Sequence, residues 1–318
     1  MRRILSTLRF AAAVILLPLL TAQPTFAWGN EGHRYINRLA VANLPADVPA
    51  FLHTPEALNA IEYLGPEPDR WRGRNEPELS AAQAPDHFIN MEWADLVGPL
   101  PRNRYDYIRA LAVAQAKHPD LTLTPESVGL QPWETIEVWE RLKSAMRDYR
   151  QLSAAKEDTK PVELAITFYI GWLGHYVADG SQPLHITIQY NGWTGPNPNG
   201  YTTEHRIHSQ FESGFVRANI TPADIQPLIG KQPRVFKDMF DDYVSYLRDS
   251  NKLVEKTYQL EKAGGFTGAG TPEAKQFTAE RIAAGATMLR DMVYTAWVKS
   301  AEPVPGWREQ APPKPAAK

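Results

Sequence analysis

Apolar residues recur at helical spacing in six stretches of this chain, residues 32–44, 103–117, 132–152, 161–179, 235–262 and 272–300. In the fifth, Val235, Met239, Tyr243, Tyr246, Leu247, Leu253, Val254 and Tyr258 follow the three-and-four spacing of a single buried helix face. Thr124-Pro125-Glu126 and Thr271-Pro272-Glu273 have the form of helix starts, a hydroxyl cap followed by proline where no backbone N–H is needed. No stretch alternates with period two between hairpin turns, and no segment repeats at a fixed period. The pattern therefore predicts an all-α fold. Two segments break the rhythm. Residues 186–204 hold Asn191-Gly192, Gly195-Pro196, Asn197-Pro198 and Asn199-Gly200, turn chemistry that predicts one long loop, and loops of that length in compact domains tend to serve function. From Glu302 onward, five prolines among Ala and Lys predict an unstructured tail.

The first 27 residues read as an export signal rather than as fold. Arg2, Arg3 and Arg9 make a positive start, Ala11–Leu20 is an apolar run too short to span a bilayer, and Thr25-Phe26-Ala27 offers small residues three and one before a cut at Trp28. The expected layout is a signal peptide (1–27), one helical domain (28–301) and the tail (302–318). The mature chain is then expected outside the cytoplasm, in the periplasm or beyond. No later segment reaches the ~18 consecutive apolar residues of a membrane span.

Composition narrows the chemistry. Of 318 residues, 43% are apolar, enough for a sizeable core and too many for a disordered or collagen-like chain. The formal charge is −2, and loss of three arginines with the signal leaves 31 basic against 36 acidic residues. Such a chain has no net positive field to steer a polyanion. It also has no cysteine, which excludes disulfides, thiolate zinc sites, iron–sulfur clusters and cysteine nucleophiles. A transition metal would have to be held by histidine, carboxylate or backbone groups.

Three constellations offer such groups. His175 and Asp179 stand four apart on a predicted helix, so both leave one face, and Gly180 and Pro183 end that helix before His185 returns from the turn. A lone pair of this kind is commonly a hydrogen-bonded helix end, but the added His185 favours a cation. His208 and Glu212 repeat the four-residue spacing on a segment that Thr202 or Thr203 could cap. With His185 they make a two-histidine, one-carboxylate set with open coordination, as hydrolytic zinc sites have. His205 competes with His208, which has the carboxylate partner. Finally, cleavage before Trp28 would place a free α-amine near His33, and an α-amine of pKa ~7.7–8.0 can lose its proton to a metal near neutrality.

An N-terminal Trp, a His five residues on, the string HxxxDxxxxxH containing Gln-Pro and a later HxxxE together resemble one family. It is the zinc-dependent superfamily that joins bacterial phospholipase C to the single-strand-specific nucleases of fungi, plants and bacteria. The likeness covers nearly the whole mature chain, and the 23 residues from His185 to His208 look like the nuclease branch. The resemblance implies a helical domain with three zinc ions in a cleft. Asp179 would be shared by a close pair, the first ion held with His175, Asp69 and His87, its neighbour by the Trp28 amine and carbonyl with His33. His185, His208 and Glu212 would hold the third. Asp86 is the alternative to Asp69. Two features depart from the nucleases: Glu212 stands where they have Asp, as in the phospholipases, and Tyr190-Asn191-Gly192-Trp193 replaces a double-glycine-asparagine stretch. The 88 residues between His87 and His175 imply an added helical hairpin around 92–135.

The function this implies is hydrolysis of P–O3′ bonds in single-stranded nucleic acid, or of 3′-nucleotides, by a metal-activated water that Asp69 orients or deprotonates. Tyr190, Trp193 and Tyr201 are candidates to stack unpaired bases, with Asn191 beside them, although the same rings could simply pack on their own domain. Phospholipase C activity on membrane phospholipid and a non-catalytic zinc-binding role are the alternatives.

Overall fold

In the computed structural model, residues 28–73 and 75–304 are described. The expected signal peptide and nearly all of the proline-rich tail lie outside them. The fold is all-α, 68% helical and without strands among the described residues. No helix there is long and apolar enough to cross a membrane.

The helices that frame the site are α1 (Gly29–Ala42), α2 (Pro55–Leu64), the one-turn α3 (Glu67–Arg70), α4 (Arg104–Lys117), α5 (Gln131–Ala155), α6 (Lys160–Ser181), α7 (Met239–Asn251), α8 (Val254–Lys262) and α9 (Pro272–Lys299). Helix α6 is the axis of the molecule and touches α1, α2, α3, α5, α7 and α9. From Ile170 to Ser181 it is buried on every side except at Trp172, the burial expected of a helix that is apolar all round. Close approach is made possible by glycine. A Cβ on Gly174 would lie 2.0 Å from the Asn37 amide oxygen, and one on Gly171 would lie 2.3 Å from Leu64 Cβ. Asn37 uses the space, its Nδ2 donating to the carbonyls of Ile61 (3.0 Å) and Gly171 (3.1 Å), so one buried amide ties α1, α2 and α6 together. Helix α9 closes the core with small residues Ala279, Ala283, Gly285 and Ala286 among Ile282, Leu289 and Val293.

The helix starts at Thr124 and Thr271 form as the sequence predicts. Thr124 exchanges a capping box with Ser127, and the Thr271 hydroxyl accepts the Ala274 N–H. Four expectations are corrected. The stretch 235–262 is two helices, because the chain turns at Lys252–Leu253 where Asn251 Nδ2 donates to the Ile186 carbonyl. Its start is Met239, capped by Asp238, and Val235 is exposed rather than part of the buried stripe. Helix α6 runs through Gly180 to Ser181, since Gly180 is needed for contact with Leu247 and Tyr243 and not for a turn. The insertion around 92–135 holds one long helix, α4, with single turns at Met91–Ala94 and Pro125–Val128. It pairs with α5 by stacking Tyr107 on Trp133 at 3.8 Å.

Candidate metal centres

His33, Asp69, His87, His175, Asp179, His185, His208 and Glu212 are all buried, and they converge in two adjoining groups. His33 comes from the first turns of α1, Asp69 from α3, His87 from the 3-10 turn Ala84–His87, and His175 and Asp179 from successive turns of α6. The ring nitrogen His33 Nε2 lies 3.5 Å from Asp179 Oδ1 and 3.8 Å from Asp69 Oδ2. On the other side, His175 Nε2 is 3.5 Å from Asp179 Oδ2 and 3.9 Å from Asp69 Oδ1, and His87 Nε2 is 3.7 Å from Asp69 Oδ1. Each carboxylate thus turns one oxygen to His33 and the other to His175. The rings of His33 and His175 are stacked, centroids 4.1 Å apart.

The second group is His185, on the 3-10 turn Pro183–His185, with His208 and Glu212. The two Nε2 atoms are 3.1 Å apart, and Glu212 Oε2 is 2.9 Å from His208 and 3.6 Å from His185. His208 is the middle residue of the short helix Ile207–Ser209, and Glu212 lies in the π-helical segment Gln210–Phe215 that follows. Widened turns of this kind occur often at functional sites. Thr202 and Thr203 do not cap this helix, which starts without a side-chain cap. The Thr202 hydroxyl instead accepts from Glu204 N–H. His205 is exposed, so the choice between the two histidines falls to His208.

Backbone carbonyls set the rings. His175 Nδ1 donates to Gly65 (2.9 Å), His185 Nδ1 to His87 (2.8 Å) and His208 Nδ1 to Tyr190 (2.9 Å). A carbonyl only accepts, so in each ring Nδ1 carries a proton and Nε2 is the atom turned to the carboxylates or the neighbouring imidazole, the usual second layer of a metal-binding histidine. The Gln of the Gln-Pro turn has a similar office: Gln182 Oε1 accepts the Leu184 N–H at 2.7 Å and its Nε2 faces Glu212 Oε2 at 3.3 Å.

Without a cation the first group is poorly satisfied. Both oxygens of Asp69 and of Asp179, both ring nitrogens of His87 and Nε2 of His175 have no hydrogen-bond partner among the described residues. A buried polar group left so costs several kcal/mol, more when charged. Burial pushes the Asp69 and Asp179 carboxyls well above the usual carboxylate range, with their mutual repulsion adding at Asp179. Burial likewise holds His87 and His175 well below the usual imidazole range. The second group is an ion pair instead. Burial opposes charge there, yet the Glu212 carboxylate holds His208 above its ordinary value, and His208 brings Glu212 down to about 2. Tetrahedral zinc with bonds of ~2.0–2.1 Å requires donor atoms about 3.3 Å apart. The separations found, 2.9–3.9 Å, fit that requirement.

Trp28 is fully buried at a φ of 47°, its indole Nε1 donating to the Ala178 carbonyl (2.9 Å) and the Ser181 hydroxyl (2.8 Å). The start of the domain is therefore pinned beside Asp179. The Trp28 carbonyl accepts the Gly32 N–H at 3.0 Å. Asp86 stands apart from the ligand groups. It faces Arg104 at 3.6 Å, and burial with Glu134 nearby pushes its carboxyl up to about 7.

A cleft of about 380 Å³ opens over both groups, reaching His87, His185 and His208. Tyr190 lines it and is more than half exposed. Asn191 sits behind, its Oδ1 accepting the His208 N–H at 3.3 Å. Trp193 and Tyr201 are not brought to the cleft. They pack on Tyr258 at 5.2 and 5.6 Å, and Tyr201, 6% exposed and bonded to Glu255, has no face open to a base. The cleft instead gains residues that the motif reading passes over: Arg72, Phe88, Trp93 and Ile188. Arg72 Nη1 lies 3.8 Å from Asp69 Oδ1. A signal for two of them exists, since Arg72 follows Asp69 by three residues and Phe88 adjoins His87.

Scanned against protein-family models the chain matches none, and no curated protein matches it.

Proposed function

We propose that this chain is an exported zinc-dependent phosphodiesterase that cleaves single-stranded nucleic acid, with 3′-nucleotides as related substrates. The observation that carries the reading is the pair of buried carboxylates Asp69 and Asp179, which accept no hydrogen bond among the described residues and are set between three imidazoles, one of which, His87, lines a cleft together with Arg72. Three zinc ions would be held by Asp69, His87, His175 and Asp179, by the Trp28 backbone with His33 and Asp179, and by His185, His208 and Glu212. Bound zinc supplies neutralisation of phosphate charge and lowers the pKa of a coordinated water towards ~7.

The chain's own residues do the rest. Arg72 reaches the phosphate at the cleft mouth, where a guanidinium can pair two oxygens at once. Phe88, Trp93 and Tyr190 wall the cleft with rings that a base can occupy only when unpaired, which favours single strands. Asp69 orients the attacking water through one oxygen and takes its proton, a task open to a carboxylate that accepts no hydrogen bond from the described residues. The water oxygen bonds to phosphorus as the P–O3′ bond breaks, and the departing O3′ takes a proton from solvent, leaving a 5′-phosphate and a 3′-hydroxyl.

Phospholipase C activity is the second reading, favoured by Glu212 and by the apolar wall of Phe88, Leu184 and Ile188. Assaying the mature protein on single-stranded DNA and on phosphatidylcholine separates the two, with zinc per chain measured by elemental analysis on the same sample. Close to three zincs with DNA cleavage supports the nuclease. Three zincs with lipid cleavage alone selects the phospholipase, and metal with neither activity returns the chain to a binding role. One zinc or none overturns the reading.

A further inference from the structure

Beside the cleft, one stretch of surface combines aromatic rings with arginines. Trp71, two residues after Asp69, meets Trp172 edge to face at 5.5 Å, and Trp172 meets Phe168 at 5.8 Å. Trp172 and Phe168 share a face of α6, Trp172 one turn before His175, and Phe168 is 37% exposed. The guanidinium of Arg141, an exposed residue of α5, lies over the Trp172 ring at 5.6 Å. On the far side of α3, Tyr63 is 55% exposed, with Arg70 over its ring at 4.2 Å and Arg34 at 6.0 Å. Arg72 carries the row of cations into the cleft. Glu67 pairs with Arg70 and accepts the Trp71 indole N–H, and Asp69 stands 3.8 Å from Arg72.

We infer that this shelf is a second contact for the substrate and holds the unpaired nucleotides that flank the one in the cleft. The inference rests on the nuclease reading above. Half-exposed rings lose water-facing area when a base stacks on them, and the sequence of the base does not matter because every base has a π-face. Guanidinium groups placed over such rings stay hydrated on their outer side and can meet the phosphates between stacked bases. The positive charge supplies a local complement to a polyanion that the net charge of the chain does not. A duplex cannot use the shelf, since its bases face inward. A lipid surface would want apolar groups standing clear of charge, and here arginines lie on two of the rings.

The test uses the metal-loaded mature protein, wild type against Phe168→Ala, Arg141→Ala and the double variant. Two readouts are taken: affinity for a fluorescent, cleavage-resistant phosphorothioate dT12, and hydrolysis of bis(p-nitrophenyl) phosphate, which is too small to reach the shelf. Losing one stacked base, at ~1–3 kcal/mol, predicts a dT12 affinity at least about fivefold weaker in Phe168→Ala. Arg141→Ala should flatten the salt dependence of dT12 binding, and the small ester should be hydrolysed at the wild-type rate throughout. Unchanged dT12 affinity in the double variant overturns the shelf, as does equal loss on both readouts, or loss of binding to phosphatidylcholine vesicles without loss of dT12. A wild type that hydrolyses neither the small ester nor DNA overturns the nuclease reading separately, whatever the shelf binds.

Discussion

Asp179 is buried, accepts no hydrogen bond among the described residues, and has an imidazole nitrogen 3.5 Å from each of its oxygens. Replacing it with asparagine removes the charge and keeps the shape, so the expected result is a folded protein that has lost up to two zincs and its phosphodiesterase activity. Elemental analysis beside circular dichroism checks both halves, and an unchanged zinc content would remove Asp179 from the site. At the cleft mouth, Arg72→Ala should lower kcat/KM for single-stranded DNA by about 10- to 100-fold, the range of a charged hydrogen bond worth ~1.5–3 kcal/mol. Zinc content should not move with it, which distinguishes a phosphate contact from damage to the ligand set. Which residues belong here was legible unevenly. His175 with Asp179 and His208 with Glu212 announce themselves by four-residue spacing, and His185 by following the first pair across a Gln-Pro turn. Asp69 and His87 have no such periodicity, because a one-turn helix and a 3-10 turn leave no repeating pattern to read.

Elements of very different length hold these groups. The two longest site helices present them by regular geometry, while the irregular turns rely on specific bonds. The turn Ala84–His87 is anchored on one side by Arg104, which meets Asp86 and Glu134, and on the other by the His185 ring on the His87 carbonyl. Asp86 titrates near 7 in the folded chain against about 4 unfolded, so between those values the native state binds the extra proton and stability falls as pH rises. Asp86→Asn lacks that slope. Relative to wild type it should therefore gain stability between pH 5.5 and 7.5, by up to a few kcal/mol at about 1.4 kcal/mol per unit. Urea unfolding at the two pH values measures the difference, and parallel curves would contradict it. At the start of α9, Thr271→Ala removes the hydroxyl that accepts Ala274 N–H and should cost about 1 kcal/mol with no change in zinc content. Helix ends of this kind are visible in sequence. The split at Lys252–Leu253 is not, since it depends on an asparagine meeting a carbonyl 65 residues away.

For the molecule as a whole, a core without disulfides encloses a set of carboxylates and imidazoles that it cannot satisfy by itself. Metal binding to the native state alone should then contribute ~4 kcal/mol per site at a thousandfold excess over Kd. Chelation with EDTA should lower Tm by roughly 10 °C or more and zinc should restore it. A Tm indifferent to chelation would count against buried metal.

Amphipathic periodicity, cap chemistry and the lack of any period-two pattern determined by themselves that this chain is all-α and where its long helices run, because those choices are local. The paired ligands on α6 were set the same way, by 3.6 residues per turn. Only the tertiary structure decided which aromatic rings face the cleft, turning Trp193 and Tyr201 into packing and bringing Arg72, Phe88 and Trp93 to the wall. It also placed Asp69 rather than Asp86 among the histidines. Two acids seventeen residues apart look alike in sequence. What separates them is that three imidazoles meet Asp69 after folding and none meets Asp86 among its ion pairs, and such contacts are fixed by how α1, α3, α5 and α6 pack around one another.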